Sequence, residues 1–344
     1  MDTPSPSTPG SSRGVALKLG VSVLLAGAFV WALRPYLSAL PSDLDVSAAV
    51  LLGYLATLLP YHLLRAGRWV LLLRPLGETL PPTREVLRIG LAGYMWIALM
   101  PFRLGEFARP MFLAQRSDVR VSQSLGTVAI ERAVDGVMVC ALFFVGMAGA
   151  TPEGDTELLY LACYGVMGAF TVALAGMLAA ARWPAQVASL ADRLVRWASP
   201  RLATWARDTV HGVADGFAAL PNIGAIAGFV VATAGYWAAN AAGMWLLAQG
   251  CGLDLSLGEA VATLAIMNLA LLVPGGPAQL GVFQSGIALA LHLFVPADVV
   301  QTAGSKFAFF LYVCQLGTIV TLGLTSQWSL SLDWRAALRG PRKK

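Results

Sequence analysis

The sequence predicts an all-α, polytopic membrane protein. Apolar residues make up 57% of the 344 residues and charged residues only 12%, whereas an ordinary soluble domain has about 25% charged residues. Apolar runs of about 20 residues, the length that crosses a hydrocarbon core, recur along almost the whole chain. Runs this long and continuous favour helices over the alternating strands of a membrane barrel.

Six segments are predicted to span the membrane, and two further apolar segments are interrupted. The spans are residues 15–34, 46–64, 124–149, 158–181, 224–249 and 304–326. Proline, glycine and charged residues interrupt segments 88–114 and 258–294, so each predicts a broken or re-entrant helical hairpin. The expected organisation is a disordered tail at 1–14, a first membrane repeat at 15–150, a second at 151–326 and a basic cytoplasmic tail at 327–344.

The distribution of charge predicts the orientation in the membrane. Basic residues cluster after the second span and again at the end of the chain, which places both regions in the cytoplasm. Residues 151–157 carry three acidic residues and no basic one, as expected of the opposite face. The prediction is therefore an inner-membrane protein with both termini cytoplasmic. The net charge of +5 is explained by this bias, and no nucleic-acid partner is expected.

Residues 182–221 interleave tryptophan with arginine. This pattern is typical of helices that lie at the membrane interface, with the apolar side in lipid and the arginines toward anionic headgroups. A solvated linker is the alternative.

No enzymatic or metal site is indicated by the motifs. The four cysteines have no paired spacing, the three histidines are scattered, and neither a P-loop nor a nucleophile elbow is present. We therefore expect no cofactor, no metal and no catalytic residue.

A short internal repeat links the two interrupted segments. Pro101-Phe-Arg-Leu-Gly-Glu-Phe107 and Pro277-Ala-Gln-Leu-Gly-Val-Phe283 share proline, leucine, glycine and phenylalanine in one register. Each half of the chain would then contain three crossings and one hairpin. Because three is an odd number, the second half would be inverted relative to the first, as in transporters that bind substrate between broken helices.

Charged residues within the first hairpin are the main candidates for substrate binding. Arg103, Glu106 and Arg109 stand in an otherwise apolar stretch, where each buried charge costs about 3 kcal/mol. In a helix, the i,i+3 spacing would let Glu106 pair with either arginine and leave a net positive charge for an anionic phosphate. The alternative is a cytoplasmic loop with an ordinary surface ion pair.

A second polar cluster, Glu131, Arg132 and Asp135, follows in the next span. Arg132 can reach Asp135, and an arginine of the hairpin can reach Glu131. The cluster could hold the hairpin in place or relay a proton. Arg65 and Arg68, at the end of the second span, are predicted to be interfacial residues that extend toward lipid phosphates, with substrate contact as the alternative.

The second hairpin offers neutral contacts. Its proline and glycine residues expose backbone polar groups, which membrane depth tolerates only beside protein or a wet cavity. Gln279 and Gln284 would supply uncharged hydrogen bonds to a substrate; a plain kink without a ligand is the alternative. The predicted hinge residues of the two hairpins are Pro101, Gly105, Pro274, Gly275, Gly276, Pro277 and Gly281.

These motifs, in this order over residues 15–326, resemble the lysylphosphatidylglycerol synthase transmembrane family, a flippase-like domain family. The residues that carry the likeness are Arg68-Trp69, Pro101-Phe-Arg-Leu-Gly-Glu106, Glu131-Arg132-Ala-Val-Asp135 and Pro274-Gly-Gly-Pro-Ala-Gln-Leu-Gly281. The resemblance implies a bacterial inner-membrane protein that moves a modified phospholipid between leaflets. The chain looks like the membrane part alone, without the synthase domain. Gln284 stands where the family usually has glutamate.

The function expected from these observations is a lipid flippase-like transporter that acts on anionic or modified headgroups. The alternative is an accessory subunit, or a membrane-embedded enzyme, of lipid or lipid-linked sugar modification. A separate lipid-modifying enzyme is an expected partner.

Overall fold

A computed structural model gives the fold, and it describes residues 44–76, 80–196, 199, 204, 223–273 and 275–332. Regular secondary structure in these ranges is entirely helical, which confirms the predicted all-α class. The predicted tail 1–14 and first span 15–34 lie outside the described residues, as do most of the segments 197–222 and 333–344.

The described helices follow the chain in a simple order. They are α1 (Ala48–Leu73), α2 (Thr83–Leu99), α3 (Ala108–Ala114), α4 (Val121–Ala148), α5 (Glu157–Arg182), α6 (Pro184–Arg196), α7 (Ile223–Gly250), α8 (Leu257–Ala270), α9 (Val282–Leu291) and α10 (Ser305–Ser329). A short turn, Ala297–Val299, and a π-helical stretch, Val300–Gly304, lead directly into α10. Short 3-10 helices at Pro101–Phe107 and Pro277–Gln279 precede α3 and α9.

Four helical stretches in the described ranges are long and apolar enough to cross a membrane. They are Ala48–Leu73, Glu157–Arg182, Gly224–Gly250 and Ala297–Ser329, and they confirm the predicted polytopic class. The predicted span 124–149 corresponds to the 28-residue helix α4, whose Glu131, Arg132 and Asp135 make it less apolar. The second predicted span was too short, because α1 continues to Leu73 rather than ending at residue 64.

Both interrupted segments consist of two helices in contact, joined through a 3-10 turn. Met100 adopts an extended conformation before Pro101 and ends α2, as expected of a residue that precedes proline. In the second segment, Ser256 and Glu259 form a capping box that starts α8, and α8 packs against α9. The segments therefore fold as helical hairpins, which we call hairpin 1 (residues 83–114) and hairpin 2 (residues 257–291).

The described helices of the two halves pack against each other in a reciprocal pattern. Helix α1 lies along α7, α8 of hairpin 2 packs on α4, and α2 of hairpin 1 packs on α10. Each hairpin therefore contacts the last long helix of the other half. The α4–α8 contact is close, because a Cβ atom added at Gly146 would lie 2.5 Å from the backbone nitrogen of Ala262.

The apolar core lies between these helices, and α5 lies at its edge. Tyr54, Phe143 and Phe307 are fully buried in one large cluster that includes residues of α1, α4, α7, α8 and α10. Leu158 and Val172 of α5 are exposed instead, as expected of a helix that faces lipid. Helix α6 also exposes apolar side chains, and its predicted position at the interface stays a prediction.

Candidate functional site

A buried ion-pair cluster joins α1, hairpin 1 and α4. Arg68 Nε lies 3.5 Å from Glu131 Oε1, and Arg109 Nη1 lies 2.6 Å from Glu131 Oε2. Arg68 is 1% exposed, and Arg109 and Glu131 are fully buried. One carboxylate therefore bridges two arginines from two different elements, which confirms the expectation that an arginine of the hairpin reaches Glu131.

Asp135 extends the cluster by one helical turn. Arg68 Nη2 donates to Asp135 Oδ2 at 2.7 Å, and Arg132 Nη2 lies 3.0 Å from the same oxygen, so the predicted pairing of Arg132 with Asp135 is confirmed. Tyr236 of α7 donates its hydroxyl proton to the other carboxylate oxygen. Arg68 Nη1 also donates to Thr233 Oγ1 at 2.9 Å, so the cluster holds α7 as well.

Aromatic rings complete the surroundings of the arginines. The Arg109 guanidinium lies 4.4 Å from the ring centroid of Tyr94 and 5.0 Å from that of Trp69, and it donates to the Tyr94 hydroxyl at 3.1 Å. The Arg65 guanidinium lies 4.2 Å from the centroid of the same Tyr94 ring. It also donates a hydrogen bond to the Tyr61 hydroxyl. Such contacts attract a cation to a ring face and partly replace its lost hydration.

A cavity of about 280 Å³ opens beside this cluster. Its charged lining residues are three arginines and two carboxylates: Arg65, Arg103, Arg132, Glu106 and Asp135. Together with the buried Arg68, Arg109 and Glu131, the region contains five arginines and three carboxylates, a formal excess of two positive charges. The cavity is therefore suited to an anionic group.

A second cavity of about 140 Å³ adjoins the first and extends toward hairpin 2. Tyr61, Arg65, Arg103 and Asn268 line both cavities. The second one is also lined by Ala278 and Gln279, from the 3-10 turn of hairpin 2. The two cavities thus meet at two arginines, one from α1 and one from hairpin 1.

Arg65 and Arg103 differ from the other arginines of the site. No carboxylate of the described residues lies within ion-pair distance of either one. Arg103 Nε is buried without a hydrogen-bond partner among those residues. Arg103 also has a left-handed backbone, with φ of 56°, a conformation whose cost of about 1–3 kcal/mol is typically retained at functional sites.

The expected pairing of Glu106 with Arg103 or Arg109 is wrong. Residues 101–107 form a 3-10 helix rather than an α-helix, which changes the directions of the side chains, and Arg109 turns inward to Glu131. The nearest cation to Glu106 is instead Arg132, whose Nη1 lies 3.8 Å from Glu106 Oε1. Hairpin 1 is thus linked to α4 by two separate ion pairs.

The predicted interfacial role of Arg68 is also wrong. Helix α1 continues beyond it to Leu73, and Glu131 and Asp135 offset the cost of burying its charge. Arg65, predicted with it, is half-buried and faces the cavities. The alternative expectation, contact with a substrate, stays a prediction for Arg65.

The comparison with protein families identifies one family that matches most of the chain. The family described as the lysylphosphatidylglycerol synthase TM region matches residues 15–316. The chain belongs to this family. The match covers both hairpins, α4 and the complete ion-pair cluster. Comparisons with curated proteins and with solved structures found no match.

In this member of the lysylphosphatidylglycerol synthase TM family, the two glutamines of hairpin 2 have different surroundings. Gln279 lines the second cavity, and its Oε1 atom is buried without a hydrogen-bond partner among the described residues. Gln284 accepts a hydrogen bond from the Gly281 backbone at 2.9 Å and so caps α9. It is not among the residues that line either cavity. Pro274 lies outside the described residues.

Several residues that line the site were not predicted from the sequence. His62 is 3% exposed, and neither ring nitrogen has a hydrogen-bond partner in the described part of the chain, a burial that costs about 1–3 kcal/mol per group. Tyr236 and Asn268 are isolated polar residues within apolar helices. Such polar positions inside a membrane span are themselves a signal of function.

Proposed function

We propose that the protein is a lipid transporter of the flippase type, which binds phosphate-bearing headgroups between the two hairpins and moves them between leaflets. The observation that carries the proposal is the pair Arg65 and Arg103. Both line the two cavities, and neither has a carboxylate partner among the described residues. A lipid phosphate would neutralise them and accept their hydrogen bonds.

Side chains from four different structural elements form the proposed binding site. Arg65 comes from α1, Arg103 from hairpin 1, Arg132 from α4 and Gln279 from hairpin 2. Transport by broken helices requires such a shared site, since movement of one element changes the access of the substrate. We therefore assign the polar residues to binding and movement rather than to catalysis.

The proposed orientation is an inverted repeat in the bacterial inner membrane. The reciprocal packing of α2 on α10 and of α8 on α4 supports a two-fold relation between the halves. With three crossings in each half, including the predicted span 15–34, the hairpins would enter from opposite sides. Both termini would then be cytoplasmic, and a separate enzyme would modify the lipid.

The proposal is tested by leaflet-resolved lipid translocation in proteoliposomes of the full-length protein. Phosphatidylglycerol, aminoacylated lipids and glycosylated lipids are compared as substrates. We expect the protein to accelerate at least one of them, and Arg65→Gln and Arg103→Gln each to reduce that rate by about tenfold or more, the loss expected for a charge-assisted hydrogen bond. Arg88→Gln is the control, because Arg88 is exposed on α2. Translocation that is absent for every lipid, or equal in all variants, would overturn the proposal.

A further inference from the structure

The second cavity is lined by uncharged hydrogen-bonding groups once the two shared arginines are set aside. Besides the tyrosines, these groups are His62, Asn240, Asn268, Gln279 and Gln315. Aspartate and glutamate are absent from the described residues that line it. A ligand that enters beyond Arg65 and Arg103 therefore meets hydrogen-bond donors and acceptors without negative charge.

Two of these residues have hydrogen-bonding capacity that the protein leaves unused. Both ring nitrogens of His62 and the Oε1 atom of Gln279 are buried without a partner in the described ranges. A neutral imidazole offers one donor and one acceptor, and an amide oxygen accepts from a donor. Hydroxyl groups, which both donate and accept, would satisfy all three atoms.

A cationic headgroup would find no equivalent support in this cavity. Glu106, Glu131 and Asp135, the carboxylates of the neighbouring cluster, already lie next to arginines. The rings of Tyr61 and Tyr94 could attract an ammonium group, but Arg65 lies against both. Arg65 and Arg103 at the junction would repel a second cation.

We propose that the second cavity selects lipids whose phosphate carries an uncharged, hydroxyl-rich headgroup, such as a polyol or a sugar. The phosphate lies at Arg65 and Arg103, and the hydroxyl groups contact His62 and Gln279. The inference rests on the proposed function, since it assumes that a lipid phosphate occupies the arginine site.

The test measures binding of short-chain, soluble lipids to the full-length protein in detergent by titration calorimetry. Phosphatidylinositol represents a phosphate with a polyol, phosphatidic acid a phosphate alone, and lysylphosphatidylglycerol a cationic headgroup. We expect phosphatidylinositol to bind about tenfold tighter than phosphatidic acid, as one or two added hydrogen bonds would give. Lysylphosphatidylglycerol should bind no tighter than phosphatidic acid.

Variants assign this preference to the cavity. Gln279→Met and His62→Leu should each bring phosphatidylinositol close to the affinity of phosphatidic acid, while the affinity for phosphatidic acid stays within about twofold, since the arginines are unchanged. Gln186→Met, at an exposed position of α6, should retain the full preference. Two variants are used because either buried substitution could impair folding, which loss of phosphatidic acid binding would reveal.

The outcomes separate this inference from the proposed function. Equal affinities for phosphatidylinositol and phosphatidic acid, or a higher affinity for the lysyl lipid, overturn the proposed selectivity. If Arg103→Gln lowers the affinity for all three lipids in that case, the proposed phosphate site stands. Absence of binding by every phosphate lipid overturns both. A preference that survives in Gln279→Met and His62→Leu overturns the assignment to this cavity.

Discussion

Arg103 and Gln279 have the same left-handed backbone conformation at the same place in the two hairpins, with φ of 56° and 58°. Each is the third residue of a segment that begins with proline and continues with leucine and glycine. Each segment also starts with a 3-10 turn. The sequence repeat therefore extends to an unusual backbone geometry, and both side chains line the second cavity.

This shared conformation predicts that glycine at residue 279 stabilises the protein. A left-handed non-glycine residue costs about 1–2 kcal/mol, because its Cβ atom crowds the carbonyl oxygen. Glycine removes that crowding but adds entropy to the unfolded chain. We expect Gln279→Gly to raise the free energy of unfolding by about 1 kcal/mol, measured by titration with sodium dodecyl sulfate in mixed micelles without added lipid.

The control for this prediction is Thr321→Gly. Thr321 is exposed on the regular helix α10, where glycine in place of threonine lowers helix stability by about 0.3 kcal/mol. The two substitutions should therefore change the free energy of unfolding in opposite directions. Equal losses at both positions would show that the left-handed backbone of Gln279 stores no strain.

The buried bridge at Glu131 predicts a large loss of stability in Glu131→Gln. The amide cannot balance the charges of Arg68 and Arg109, and breaking a buried ion pair by removing one partner costs about 3–5 kcal/mol. Glu106→Gln is the matched control, because Glu106 is partly exposed and 3.8 Å from its partner Arg132. It should cost less than about 1 kcal/mol. Unfolding in mixed micelles measures both, and similar losses would contradict a structural role for Glu131.

Close packing of α4 on α8 predicts that Gly146 tolerates no larger residue. The new Cβ atom in Gly146→Ala would lie 2.5 Å from the Ala262 nitrogen, and relief of such an overlap costs about 1–3 kcal/mol. Gly165→Ala in α5 has open space around it and should instead stabilise its helix by up to about 1 kcal/mol. Thermal unfolding of the two purified variants gives the comparison; a stabilised Gly146→Ala would mean that α4 and α8 are further apart.

The helices could be predicted from hydropathy because the cost of exposing a peptide backbone to lipid dominates every other local preference. The spans 158–181 and 224–249 agree with α5 and α7 to within one residue. The predicted end of α1 at residue 64 was wrong, because Arg65 and Arg68 were interpreted as the polar end of a membrane span. Residues that are distant in the sequence compensate these charges within the protein. Hydropathy is averaged over consecutive residues, so it cannot detect such compensation.

The composition of the site was predictable, and so were two of its ion pairs, but the partner of Glu106 was not. Polar residues within apolar segments identified Arg103, Arg109, Glu131 and Asp135 as members. The partner of Glu106 depended on the rotation of each helix and on the 3-10 form of residues 101–107, which local spacing does not determine. Clustering of histidines does not identify His62, because the three histidines lie far apart in the sequence; its signal is its isolation in an apolar helix.

The proposed topology predicts that the two ends of α5 are accessible from opposite sides of the membrane. This helix has 26 residues, which rise about 39 Å and suffice to cross the bilayer. Glu153 before it and Ser189 after it are exposed. In a background with all four cysteines replaced by alanine, Glu153→Cys in right-side-out vesicles should react with a membrane-impermeant maleimide, while Ser189→Cys should react only after permeabilisation, because α6 would face the cytoplasm. The reverse pattern would invert the proposed orientation, and labelling of both from outside would mean that α5 does not cross.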